Sequence, residues 1–396
     1  MSASARFVVL SSVLALTSVS CGAAPGVETN GDDTEVSVAA ALPSAGSGID
    51  VTVVAPVRPA VTTDEHRHLL YELVITNSGT TAATLTGVDS VSVGGHDRAD
   101  RLQGDALAAA FLSADPQAPA LTVSAGSLGV VFIDSVWPRA GELPRAFKHV
   151  VRLERAGQVQ AIRGPTADVI DEDAAPISSP LRGPDFLDLN GCCDGAHRRA
   201  LIDINGALDL AQRFAIDFVQ VDLAAAAAGD DPFTHGDPTK NESYLIFGAP
   251  ILAVGSGEIV DVRDGVPEND LTQPLPTPDI QSAPGNYVVE RLGAGRFALY
   301  AHMQTGSVAV KVGDRVARGQ VLGQVGNTGN STMPHLHFHV MDGPSPLGSD
   351  GLPYRLDRFD LEGTTDLSSD NPTFQPTPPP NRRRDRLPMG GDILSL

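Results

Sequence analysis

Residues 334–340 read Pro-His-Leu-His-Phe-His-Val, and this strict alternation constrains the chain more than any other stretch of it. In a β-strand successive side chains point to opposite faces. His335, His337 and His339 therefore share one face, while Leu336, Phe338 and Val340 share the other and pack inward. A row of imidazoles on a partly buried face is costly unless each ring is hydrogen-bonded or ligated. The strand is expected to form the wall of a polar cleft. The stretch before it, Gly326-Asn327-Thr328-Gly329-Asn330-Ser331, is rich in turn residues and is placed as the rim.

The rest of the chain is punctuated in the same manner. Its 396 residues include 40 Gly and 30 Pro but only 5% aromatic side chains, which favours short strands and many loops in two domains of a mostly β protein. The formal net charge is -20 with no Lys/Arg stripe, so nucleic acid is excluded as a partner. Three cysteines are too few for a disulfide scaffold. Arg6, the apolar run 7–19 and the small residues before Cys21 read as a bacterial lipoprotein-type signal over 1–21, with Cys21 lipidated. Ser18 stands where such signals carry Leu, and a plain cleaved signal is the alternative. Either form predicts export. The lipid form places the protein in the bacterial cell envelope, on its periplasmic or surface side, with membrane contact by the lipid anchor only.

A polar tether over 22–48 leads into Val/Thr/Ile-rich runs at 51–57, 70–76, 85–93, 121–123 and 130–136, which predict an immunoglobulin-like β-sandwich over 49–163. His66, His68, His96 and His149 are scattered there and read as ordinary histidines, and Trp137 reads as core. A Pro/Asp/Gly-rich linker, 164–195, holds the neighbours Cys192 and Cys193, read as structural or idle before a zinc thiolate; a disulfide between adjacent cysteines would be unusual but reducible.

Further motifs lead up to the histidine strand in a fixed order. They are Gly285-Asn286-Tyr287-Val288-Val289, Tyr300-Ala301-His302, Val312-Gly313-Asp314, Gly319-Gln320, Gly326-Asn327-Thr328-Gly329 and Pro334-His335-Leu336-His337-Phe338. This ordered set resembles the zinc endopeptidases of the lysostaphin and LytM type. The resemblance implies a small antiparallel β peptidase domain over 196–366, a zinc cofactor in a groove, and the peptide cross-links of peptidoglycan as substrate. It makes His337 a zinc ligand and His302 and His335 the catalytic pair beside it. It also implies an earlier His followed four residues later by Asp. Asp217 fits as a ligand, but Arg213 stands at the histidine position, and a protonated guanidinium has no lone pair to give. An insertion over 219–243, with an alanine run and His235, is expected to lie as a loop over the groove.

His197 offers a substitute ligand. A three-residue hairpin loop at 204–206 would set His197 directly across from Arg213, on the same face of the sheet. The alternative is that His197 is a surface residue beside Arg198 and Arg199. Two functional readings stand beside the peptidase. One is a catalytically inactive LytM-like domain that binds peptidoglycan or regulates its hydrolases. The other is a biotinyl or lipoyl carrier, disfavoured because 254–264 offers no lysine for a hairpin tip. The Pro-rich, then Arg-rich end, 367–396, reads as a disordered tail.

Overall fold

In the computed structural model, residues 48–396 are described apart from 55, 95–97, 173, 205–206, 276–280 and 368–372. The signal-like segment, Cys21, nearly all of the tether and His96 lie outside the described residues. No helix among those described is long and apolar enough to cross a membrane.

The N-terminal part is a pair of antiparallel sheets packed face to face. In one, the strand His66–Asn77 pairs along its whole length with Ser127–Pro138 and is flanked by Ile49–Val53 and Arg58–Val61. The other centres on Ala83–Val93 paired with Ala146–Arg155. Leu69, Tyr71, Leu73 and Ile75 meet Leu85, Val88, Val151 and Leu153 in a shared core that also buries Trp137. The strand His66–Asn77 is buried on both faces. Its even-numbered Leu70 and Val74 turn away from the sandwich and pack on the C-terminal half, and Phe132 on the neighbouring strand does the same. A strand covered on both sides reads as a continuous apolar run, and Leu-Leu-Tyr-Glu-Leu-Val-Ile at 69–75 is such a run with one acid in it.

The C-terminal half is built on an 11-stranded sheet. Its centre runs Arg296–Ala301, Leu336–Met341, Ile216–Gln220, Phe186–Leu189, all antiparallel neighbours. Register places Asp217 directly opposite His337, and His337 directly opposite Ala301, so that His302 follows at the end of its strand. Phe218, Tyr300, Leu336 and Phe338 point the other way into the main core, as the alternation demands.

Several expectations are corrected. The linker 164–195 is not merely a connection: Phe186–Leu189 is a central strand, with Phe186 and Leu187 buried. The segment 367–396 is not a disordered tail. Phe374–Arg383 forms the edge strand of the sheet, and Asp392–Ser395 runs inside it with Ile393 and Leu394 fully buried. Proline is tolerated on an edge strand, where a missing N–H breaks no inner ladder, and the buried Ile-Leu pair draws the end of the chain into the sheet. The insertion does not cover the cleft. Its alanine run forms the helix Leu223–Ala228, capped by Asp222, and Leu223 and Phe233 pack with Leu187, Val219 and Ile393. The hairpin register also differs: Ile202 pairs with Asp209 and Ile204 with Ala207, one residue out of the predicted pairing.

Candidate metal centre

Asp217 is the hub of the cleft. Its Oδ1 lies 2.8 Å from Nδ1 of His337 and 3.4 Å from Nε2 of His335, and its Oδ2 lies 3.2 Å from Nε2 of His197. Donor atoms of His197, Asp217 and His337 all fall within 4.8 Å of one another. His302 completes the set, its ring centroid 4.7 Å from that of His335 and 5.7 Å from that of His337. All five predicted site residues thus line one cleft, with Asn190, Ala196, Gln212 and Pro284 among its walls.

His197 reaches the cleft by a route other than the expected ladder. It sits in a single 3-10 turn, Ala196–Arg199, and Arg213 also lies in a turn, so neither is on a paired strand. The turn presses against the chain at Asn190: a Cβ on Gly195 would meet the Asn190 carbonyl oxygen at 2.5 Å, so only glycine fits there. Nδ1 of His197 donates to the carbonyl of Ala215 at 3.2 Å, which leaves the lone pair on Nε2, facing Asp217. Arg213 is absent from the cleft walls and bonds in the opposite direction.

The other rings are fixed in the same manner. Nδ1 of His302 donates to the Thr328 carbonyl at 2.7 Å, and the residue holds a positive φ of 60° that turns it off the end of its strand. Nδ1 of His335 donates to the Met333 carbonyl at 2.8 Å. His337 keeps Nδ1 on the Asp217 side because its Nε2 meets Nδ1 of His339 at 3.0 Å. The third histidine of the alternating strand is therefore a partner of the second and lies fully buried behind it. Asn190, which no sequence pattern marks, donates its amide to Asp217 Oδ2 at 2.9 Å.

The charges follow from these contacts. Burial opposes ionisation of Asp217, yet His197 and His335 hold its carboxyl well below the usual carboxylate range. Burial also pushes His302 far down, helped by His335 and His337, so it is neutral at pH 7. Burial lowers His337 as well, against the pull of Asp217. His335 goes the other way: burial disfavours its charge, but Asp217 raises its pKa.

Two imidazole lone pairs and a buried carboxylate converging on one point match a zinc site with three protein ligands and a free position. A second group, His68, Asp134 and Cys193, does not qualify. Cys192 and Cys193 are disulfide-bonded to each other, so no thiolate is available, and His68 lies between the carboxylates of Asp134 and Asp64.

Residues 245–348 match the model of Peptidase family M23. This chain carries a peptidase family M23 domain. The matched stretch contains His302, His335 and His337 and begins after His197, Arg213 and Asp217, the segment in which the ligand spacing departs from the expected pattern. Glycyl-glycine endopeptidase ALE-1 of Staphylococcus capitis is 55% identical over 100 residues, 25% of this chain and 23% of that protein. Lysostaphin of Staphylococcus simulans is 34% identical over 100 residues, 25% of this chain and 17% of that one. Peptidoglycan DD-endopeptidase ShyA of Vibrio cholerae is 31% identical over 103 residues, 26% of this chain and 20% of ShyA. The chain thus spans between 17% and 23% of the length of these relatives. Among solved structures, the catalytic domain of the M23 protein EnpA from Enterococcus faecalis aligns with a TM-score of 0.26 and 21% identity, covering 44% of this chain and 93% of that domain.

Proposed function

We propose that this protein is an exported zinc metalloendopeptidase that cuts peptide cross-links of the bacterial cell wall. The reading rests on one observation above all: donor atoms of His197, Asp217 and His337 converge within 4.8 Å in a cleft whose remaining wall carries His302 and His335. His197, Asp217 and His337 are assigned as the metal ligands. A zinc ion held by them would lower the pKa of a bound water from ~15.7 toward ~7 and polarise a peptide carbonyl.

His302 and His335 are the catalytic pair. Each has its Nδ1 proton committed to a backbone carbonyl, which leaves Nε2 facing the cleft, in His335 at 3.4 Å from Asp217 Oδ1. His335, fixed beside Asp217, is suited to carry a proton to the departing amine. His302, neutral and buried, is suited to hydrogen-bond the carbonyl oxygen as it gains charge. The relatives named for glycyl-glycine and peptidoglycan endopeptidase activity supply the substrate class. Export fits that substrate, and lipidation at Cys21 would keep the enzyme at the envelope.

The reading of an inactive wall-binding domain leaned on Arg213 occupying a ligand position. That guanidinium lies outside the cleft and His197 inside it, which favours the peptidase. The test is cleavage of purified cross-linked peptidoglycan, followed as new amino groups, blocked by a chelator and restored by zinc. A zinc-loaded protein that releases no amino groups from any wall preparation refutes the reading.

A further inference from the structure

Arg213 forms a bidentate pair with Glu72 of the sandwich, Nη2 to Oε2 at 2.6 Å and Nε to Oε1 at 3.3 Å. Glu72 is 0% exposed and Arg213 5%. A second arginine approaches the same carboxylate: Arg198 Nε lies 4.0 Å from Glu72 Oε1. Arg198 is the residue after His197, in the same short turn.

That turn is short. It is four residues long, and its N-terminal cap, Gly195, offers no side-chain hydrogen bond. Inward, His197 bonds the Ala215 carbonyl. Locally, Arg198 donates to the Cys193 carbonyl at 3.1 Å and Arg199 to Asp194 Oδ1 at 2.9 Å, and outward the sandwich adds further restraints. The guanidinium groups of Arg198 and Arg199 lie over the ring of Phe132, at 5.8 and 5.3 Å from its centroid, and Arg199 donates to the carbonyl of Ala109 at 2.8 Å. The hydrophobic contact beside it is also shared, with Val74, Val130 and Phe132 packed on Leu201 and Leu210.

We propose that the N-terminal sandwich is a structural part of the metal centre: Glu72, acting through Arg198 and Arg213, is a positioning residue that holds the His197 turn in ligating register. This inference rests on the assignment of His197 as a ligand. It makes domain docking and metal binding one linked equilibrium, since each favours the same position of the turn. Partners that orient a ligand typically contribute 10–100-fold to metal affinity. A buried charge pair is suited to that task because it is satisfied in only one geometry.

The experiment measures zinc affinity by chelator competition and the visible absorption of the Co2+-loaded full-length protein, which reports the ligand set directly. Wild type is compared with Glu72→Gln, Phe132→Leu, His197→Ala and the sandwich-core variant Leu153→Ala. Glu72→Gln is expected to weaken zinc binding by about 10–100-fold and to move the Co2+ spectrum toward that of His197→Ala. Phe132→Leu, which keeps a branched apolar side chain against Leu201 and Leu210 but removes the ring under the two arginines, should move both readouts in the same direction and decides the matter if Glu72→Gln does not fold. Leu153→Ala should lower thermal stability and leave affinity and spectrum as in wild type, which separates positioning from general destabilisation. A wild-type spectrum and affinity in the folded Glu72 or Phe132 variant overturn the proposal. Failure of wild type to bind either metal, or of His197→Ala to alter the spectrum, refutes the ligand assignment and the proposal with it.

Discussion

The pair between Glu72 and Arg213 makes a quantitative prediction about stability. Removing one partner of a buried ion pair typically costs 3–5 kcal/mol, because the other charge is left in a medium that cannot solvate it. Arg213→Met retains most of the aliphatic stem and deletes both hydrogen bonds to Glu72. The remaining carboxylate still has Arg198 at 4.0 Å, so the loss should fall near the lower end, about 3 kcal/mol. Glu72→Gln should cost a similar amount, since Arg213 then has no anion within its bonding distance at that site. The double variant replaces the pair with neutral groups of similar shape and should be less destabilised than the two singles added together. The coupling between them should lie toward the upper part of the ~0.5–3 kcal/mol range found for residues in contact. Urea denaturation of the four proteins, each with excess chelator present, yields the cycle without a contribution from metal. A coupling below about 0.5 kcal/mol would mean that the pair is not a buried unit and would refute this account of the interface.

Four further outcomes are expected. Arg213→His should not raise zinc affinity, because position 213 faces Glu72 and not the cleft; a gain in affinity measured by chelator competition would show that the turn can reorient. His197→Ala and His337→Ala should each lose bound zinc on dialysis against a weak chelator. His235→Ala should keep it, since that ring is exposed and paired with Asp222 at 3.1 Å; metal analysis that reverses the order transfers the ligand role to the insertion. His302→Ala and His335→Ala should retain zinc but lose wall cleavage by at least the ~10²-fold typical of proton transfer, and unchanged turnover would remove them from the catalytic pair. Cys21→Ser should release the protein from membranes into the soluble fraction, because acyl chains supply the membrane affinity; equal membrane association of the variant would exclude the lipid anchor.

The legible parts of this chain are those whose signal is local and periodic. The alternation at 335–340 places three histidines on one face and three apolar residues on the other, and the strand Leu336–Met341 is built that way. Asp217 was visible through family resemblance, and its opposition to His337 is a matter of register between adjacent strands. The strands Phe186–Leu189 and Asp392–Ser395 were not legible. Each is four residues long, surrounded by Pro, Asp and Gly, and becomes buried only through partners far along the chain. His197 was named for its place near Arg213, but a single 3-10 turn has no period to read, and the ladder offered as its route was one residue out. Asn190 carried no signal at all. Glu72 does carry one: an acid inside a run that is apolar on both faces must have a buried partner.

The substitution at position 213 and the histidine at position 197 are two sides of one arrangement. A metal ligand is defined by where its lone pair lies, and the Nε2 of His197 lies 3.2 Å from the Asp217 carboxylate although its residue is twenty positions from that aspartate. Once an imidazole arrives from the 3-10 turn, the side chain four residues before Asp217 is free to face outward. An arginine there requires a buried carboxylate, and the sandwich strand carrying Glu72 gives one at hydrogen-bond distance. That carboxylate also attracts Arg198, which draws the His197 turn toward the same interface. On the proposed assignment of His197, the departure from the family spacing does not stand alone as a lost ligand. It ties the chemistry of one half of the chain to the packing of the other, through a carboxylate with no contact to the cleft itself.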